Sequence, residues 1–317
     1  MITALAIDCG GTQVKAGVVG ENGTIGASCL IPSREAEGVR AWSAAALDAA
    51  RQALAAWDGE PPTRLGLSVP GAVDPATATL VDLVARLPTG RALPLADLFA
   101  PLGLPVWADN DARAALSAER RWGAARDVDD VVLLTVGTGL GGAALVGGIW
   151  PGGHPLLAGI QLGHLSIDLD GEPCVCGNAG CAERLASGPG LVRLARGYDL
   201  DITDAADVFR DERRGIPGAS LAVGRFTAAL AAAVVNAIHA YQPALVVLGG
   251  GVMRAADRFM PQLRELVARH AWTIPRGRVR IEVSPLGDRL GILGAAAVAF
   301  RQAAEIRREE ASGPTER

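Results

Sequence analysis

The chain has 317 residues, half of them hydrophobic and a fifth charged, which suffices for two domains with separate cores. A net charge of −4 leaves no general footprint for nucleic acid. The apolar runs are short and broken by Gly, Pro or charge, so no transmembrane span is expected; no signal peptide precedes the first strand, and a cytoplasmic protein is predicted.

Residues 2–8 read as a buried strand ending in Asp8. Cys9-Gly10-Gly11-Thr12 follows as a turn, and residues 14–19 return as a strand. This is a hairpin with a Gly-rich tip, and it meets neither the dinucleotide fingerprint nor the Walker spacing. Paired glycines let backbone N–H groups approach a phosphate, and Thr12 adds a hydroxyl. Asp8 is placed to hold Mg²⁺ through water. Taken alone, such a tip is more often only a turn.

Residues 40–57 have the periodicity of an amphipathic helix. Residues 65–69 form a strand closed by Pro70-Gly71. Another strand, 105–108, feeds Asp109-Asn110-Asp111, and a helix over 112–122 stops at Gly123. Asp111 thus lies at a strand-to-helix junction. Helix capping is a common job for Asp there, but three consecutive carboxylate or amide residues exceed what a cap requires. On these residues alone both roles stand.

Residues 131–136 are a strong strand, followed by Gly137-Thr138-Gly139-Leu140-Gly141-Gly142 and a strand over 143–146. Two Gly-Thr hairpins in one chain suggest a duplicated architecture, each half presenting a tip to the same ligand.

The stretch from Gln161 to Arg184 holds His164, Cys174, Cys176 and Cys181. Three thiolates and an imidazole satisfy a closed, tetrahedral zinc site, which shapes a loop and does not activate water. Unliganded thiols are one alternative. A disulfide is another, but a Cys-x-Cys bridge is strained and the total of five Cys is odd. His164 and Glu183 sit at the edges of this loop, where a pinned backbone can hold them rigidly against a substrate.

Residues 220–241 read as an apolar helix and 244–248 as a strand. Gly249-Gly250-Gly251 then lets a flat ring or a phosphate lie on the backbone. A last strand covers 280–283, a helix runs from Leu290 toward Ile306, and the polar tail 307–317 is expected to fray.

In order, Asp8-x-Gly10-Gly11-Thr12, Asn110-Asp111-Ala112, Gly137-Thr138-Gly139, Gly163-His164, Cys174-x-Cys176-Gly177-x-x-Gly180-Cys181-x-Glu183 and Leu248-Gly249-Gly250-Gly251 resemble the ROK family of repressors, open reading frames and kinases. The match runs from residue 8 to about residue 298. The chain starts at its first strand, without a helix-turn-helix, and so looks like the kinase branch. The resemblance implies an α/β, two-lobed actin-like ATPase (ribonuclease H-like) fold with the active site in the interlobe cleft. Its small lobe would span 1–112, completed by a C-terminal helix near 295–310; its large lobe, 113–294, would carry the zinc loop. It implies ATP-dependent phosphorylation of a sugar hydroxyl, usually the 6-hydroxyl, with Asp111 as general base. Asn110, Gln161, His164 and Glu183 would bind the sugar. Asp8, Gly10, Gly11, Thr12, Gly137, Thr138, Gly139, Gly249, Gly250 and Gly251 would bind ATP. His164, Cys174, Cys176 and Cys181 would hold structural Zn²⁺, and Mg²⁺ would accompany ATP. The partners would be the sugar, ATP and a second copy in a homodimer, with neither nucleic acid nor membrane.

Three positions depart from the family pattern. Gln161 replaces a Glu, Arg113 replaces an Asn, and Arg86-Leu87-Pro88 stands where Asn-Leu-Pro is common. A Gln adds an amide donor and removes a charge, and Arg113 is expected to make the pocket more positive. An amino sugar, an N-acetylated hexosamine or a sugar-like cyclitol is therefore expected as acceptor, with glucose secondary; neutral drift within a glucokinase carries equal weight. A non-catalytic sugar-binding regulator of the same fold is opposed by Asp111 and the two Gly-Thr tips. An acetate kinase relative is opposed by the zinc motif. The phosphoryl donor, ATP or polyphosphate, stays open.

Overall fold

The computed structural model describes residues 2–82, 92–151 and 160–312. Arg86-Leu87-Pro88 lies outside the described residues. The chain divides into two compact units, one of Met1–Trp122 with Arg289–Arg317, the other of Gly123–Pro151 with Ile160–Asp288.

In the first unit, β1 (Thr3–Cys9) and β2 (Gln13–Gly20) form an antiparallel hairpin with Asp8 opposite Lys15. β3 (Ile25–Pro32) continues the meander, and α1 (Val39–Ala55) follows. The alternating burial of β3 marks it as the strand at one edge of the sheet. Trp42, Ala46, Ala49, Ala50 and Ala53 of α1 join the strand side chains in the core. β4 (Leu65–Val69) pairs parallel to β1. β5 (Ala72–Asp74), β6 (Thr79–Asp82) and β7 (Leu93–Pro94) form a small separate sheet, and α2 (Leu95–Phe99) seals it with buried Leu95 and Phe99. β8 (Val106–Asn110) closes the main sheet, in order β3-β2-β1-β4-β8, and runs directly into α3 (Asp111–Trp122).

The second unit repeats the plan. β9 (Val131–Val136) and β10 (Leu140–Leu145) form a hairpin. The helices α4 (Gly188–Arg196), α5 (Ala205–Arg213) and α6 (Pro217–Tyr241) come next. β11 (Leu245–Gly249) then pairs parallel to β9, as β4 does to β1. After α7 (Met260–His270), β12 (Arg280–Val283) completes the order β10-β9-β11-β12. Both hairpins thus belong to equivalent strand–tip–strand units, the duplication expected from the two Gly-Thr tips. α6 is long and apolar enough to cross a membrane. Here Phe226, Leu230, Val234 and Ile238 are buried in the unit's core, where Phe226 meets Phe209 and Phe259 edge-on. Its length and apolarity serve a core helix.

The last helix, α8 (Leu290–Ser312), belongs to the first unit and runs past Arg307, where the tail was expected to leave it. α3 packs along α8, with Trp122 and Phe300 edge-on at 6.2 Å. The first unit therefore continues beyond residue 112 to Trp122.

Candidate active site

The C-terminal ends of the first unit's parallel strands carry its candidate groups. Register places Asp8 beside Ser68 on β4 and Ser68 beside Asp109 on β8. In open α/β sheets this is the end where ligands bind. Ser68 Oγ donates to Asp8 Oδ1 at 2.9 Å. Burial raises the Asp8 carboxyl above its ordinary range, and the Ser68 hydrogen bond and Lys15 pull it partly back. A nearby dication would favour the ionised form, as a Mg²⁺ role requires. At the tip, Ser33 Oγ donates to Gly11 O at 2.8 Å and Ser33 N–H to Thr12 O at 3.0 Å. Both tip carbonyls are occupied by the protein, and Thr12 is exposed at the apex.

The β8–α3 junction carries both Asn110 and Asp111. Asn110 provides the helix cap: its Oδ1 accepts from the N–H groups of Ala112 and Arg113, at 3.0 and 3.3 Å. Its Nδ2 donates to Gly71 O at 2.9 Å. Asn110 is accordingly buried, with its side-chain carbonyl committed to the cap, while Asp111 is half-buried one residue on. Asp111 Oδ1 also accepts from Ala112 N–H at 2.8 Å.

In the second unit the other tip is fastened from two sides. Glu183 Oε2 accepts the Leu140 N–H at 2.8 Å, and Gly188 N–H, at the start of α4, donates to Gly137 O at 2.8 Å. Thr138 is exposed at the apex. Close approach explains two glycines. A Cβ on Gly139 would collide with Glu183 Oε2, and one on Gly163 with Leu140 O. Gly249 ends β11 beside Thr135 of β9, and Gly250 takes φ 95° before a 3₁₀ turn over Gly251–Arg258. The triple glycine therefore lies at the same strand ends as the tip. Gln161 is exposed, directly before the 3₁₀ turn Leu162–His164.

His164, Cys174, Cys176 and Cys181 converge, with one ligand atom from each within 4.8 Å of the others. Cys176 Sγ lies 3.6 Å from Cys181 Sγ, and His164 Nδ1 lies 3.6 Å from Cys174 Sγ. Tetrahedral zinc, with bonds of about 2.0–2.3 Å, separates its ligands by about 3.5–3.8 Å, so the residues fit that ion. All five cysteines are free, and the disulfide alternative is not formed. Burial and the neighbouring sulfurs push the Cys181 thiol up to about 12. The Asn178 backbone hydrogen bond draws exposed Cys176 down. A dication would replace this mutual crowding of sulfurs with attraction.

Residues 4–302 match the profile of the ROK family. The chain belongs to the ROK family. It is 31% identical to a glucokinase of Thermotoga maritima, over 93% of this chain and 96% of that one. It is 31% identical to a kanosamine kinase of Amycolatopsis mediterranei, over 93% and 95%. The crystal structure of a ROK glucokinase from Streptomyces griseus, in complex with glucose and AMPPNP, superposes with a TM-score of 0.83 at 28% identity, covering 94% and 99% of the two chains. This ROK protein has the two-lobed actin-like ATPase fold and is a sugar kinase.

Arg113, expected to make the pocket more positive, has a side chain only 11% exposed that donates through Nε to Asp109 Oδ1 at 2.8 Å, so part of its charge is met by a buried carboxylate that it shares with Arg301. Sequence reasoning gave Asp109 no role of its own and passed over Arg301, Ser33 and Ser68. For Asp109 a signal existed, since a carboxylate four residues before an Arg at a helix start is a ready i,i+4 pair. Arg301 is distant in sequence and had none.

Proposed function

We propose that this ROK kinase transfers the γ-phosphoryl group of ATP to a hydroxyl, the 6-hydroxyl, of a hexose, an amino sugar or a sugar-like cyclitol, with Asp111 as the base that takes the hydroxyl proton. The observation that carries the reading is the junction: Asn110 caps α3, so the carboxylate at 111 is not required as a cap. Phosphoryl transfer needs positioning and charge stabilisation more than covalent help. The tips at Gly10–Thr12 and Gly137–Gly139 supply backbone donors for the phosphates, and Gly249–Gly251 a flat backbone surface for the nucleotide. Asp8 orients the hydrated Mg²⁺ that travels with ATP. His164, Cys174, Cys176 and Cys181 hold one structural Zn²⁺, which fixes the loop bearing His164 and Glu183. His164 Nδ1 faces Cys174 Sγ, and in this reading Nε2 meets a sugar hydroxyl. Gln161 and Glu183 complete the sugar contacts, while Asn110 acts mainly on the backbone.

The glucokinase and kanosamine kinase relatives support a hexose or an amino hexose as acceptor. A coupled ADP-release screen over hexoses, hexosamines and cyclitols tests the activity. Asp111→Asn should lower kcat about 10²–10⁴-fold with folding intact. An Asn variant that keeps most of its turnover removes Asp111 from the mechanism.

A further inference from the structure

Asp109 is fully buried, and a buried carboxylate must be paired to be tolerated. It is paired more heavily than charge balance demands. Oδ1 accepts from Arg113 Nε at 2.8 Å and from the Asn110 N–H at 2.9 Å. Oδ2 accepts from an Arg301 terminal nitrogen at 2.6 Å. The other Arg301 terminal nitrogen donates to Ser117 Oγ at 2.8 Å, and Ser117 Oγ donates to Arg113 O at 2.9 Å. One carboxylate thus ties the end of β8 to the first turn of α3 and to α8. Residue 111 is the first residue of α3, two residues from Asp109 and two from Arg113.

Stability alone does not account for this arrangement. A buried ion cluster is often matched or exceeded by apolar packing of the same volume, because desolvation costs several kcal/mol per ion. Guanidinium–carboxylate bonds instead supply directional rigidity. Rigidity matters where a reacting group must be held within about 0.5 Å of its productive place.

We propose that Asp109, clamped between Arg113 and Arg301, is a positioning residue for Asp111, fixing the β8–α3 junction against the C-terminal helix. This rests on Asp111 being the base. Arg113, which departs from the family's Asn, is then part of the clamp and not of the sugar pocket.

The test is Arg301→Met and Arg301→Lys, each made in the wild type and in Asp111→Asn. Kinetics are read at a temperature where circular dichroism shows a folded protein. Arg301→Met should lower kcat about 10–100-fold, the scale of a misplacement near 1 Å, with both KM values within about twofold. Arg301→Lys should recover part of the loss. In the Asp111→Asn background the Met change should cost less than about threefold, because residues acting as a unit are non-additive. A folded Met variant that loses less than threefold in kcat overturns the proposal, as does an equal loss in both backgrounds. If Arg301→Met does not fold, Arg113→Gln carries the same criteria. Retained turnover in Asp111→Asn alone sinks the assignment of the base, an outcome distinct from failure of the clamp.

Discussion

Glu183 is expected to hold the Gly137–Gly139 tip, proposed to bind phosphate, as well as a sugar, and truncation separates the two roles. In Glu183→Ala the Leu140 N–H loses its acceptor, and Leu140 is only 4% exposed. Leaving a buried donor unsatisfied costs about 1–3 kcal/mol. Glu183 itself is half-buried, so the lower part of that range, about 1–2 kcal/mol, applies. If binding of the nucleotide must restore the tip, that energy appears in its dissociation constant, at about 1.4 kcal/mol per tenfold. The expected loss of affinity for a non-hydrolysable ATP analogue is about 5–30-fold by calorimetry. Glu183→Gln keeps an amide carbonyl as acceptor at roughly half the strength of a charged one and should lose less than about fivefold. Gly139→Ala attacks the same bond from the other side, since its Cβ would displace Glu183 Oε2. Its effect should therefore be non-additive with Glu183→Ala. Analogue affinity within twofold of wild type in Glu183→Ala, beside a raised sugar KM, would refute the argument and leave Glu183 a sugar residue only.

Protein purified without added zinc should contain about one equivalent, as a closed four-ligand site requires; fully active, metal-free protein removes the ion from the account. Because burial raises the Asp8 carboxyl, the folded state binds its proton more tightly than the unfolded state. Stability then falls as pH rises from the unfolded to the folded pKa and stays penalised above it. Asp8→Asn should raise the unfolding midpoint at neutral pH in Mg²⁺-free buffer, lose that advantage below the unfolded carboxyl range, and impair turnover with MgATP; an unchanged or lowered midpoint at neutral pH contradicts the burial argument. Gln161→Glu should improve kcat/KM for glucose relative to the best substrate of the screen, since one mismatched polar contact is worth about 1–3 kcal/mol. If glucose is already the best acceptor and the variant leaves its kcat/KM unaltered, Gln161 is drift.

Local signals explain what the sequence revealed of this fold. The two hairpins show themselves because glycine and threonine between apolar runs leave few alternatives, and β1 and β9 are buried on both faces. The Cys/His cluster shows itself because four residues able to ligate a metal lie within eighteen residues, His164 to Cys181. α4 and α5 went unread although Ser187 and Asp204 cap them, accepting from Gly190 N–H and Ala206 N–H. Their apolar stripes are short, and glycines and charges interrupt them. β5 to β7 are two to four residues long, too short for a period to register.

The site was legible as residue types and illegible as partners, and Arg113 shows why. Read from the sequence, it was a cation beside a catalytic carboxylate, so its charge was assigned to the substrate. The deciding partner is a strand residue four positions earlier, oriented inward by the pairing of β8 with β4. That carboxylate has a second partner, Arg301, 192 positions further along the chain on α8. Charge that a buried carboxylate partly offsets is not available to a ligand in the same measure, and Asp109 is shared between two guanidiniums. The substrate argument is therefore weakened in its electrostatic half. It keeps the hydrogen-bonding half carried by exposed Gln161, where an amide both donates and accepts and a carboxylate only accepts. A preference against glucose, if found, should then respond to Gln161→Glu and not to removal of the Arg113 charge; Arg113 variants should act on kcat across all acceptors alike.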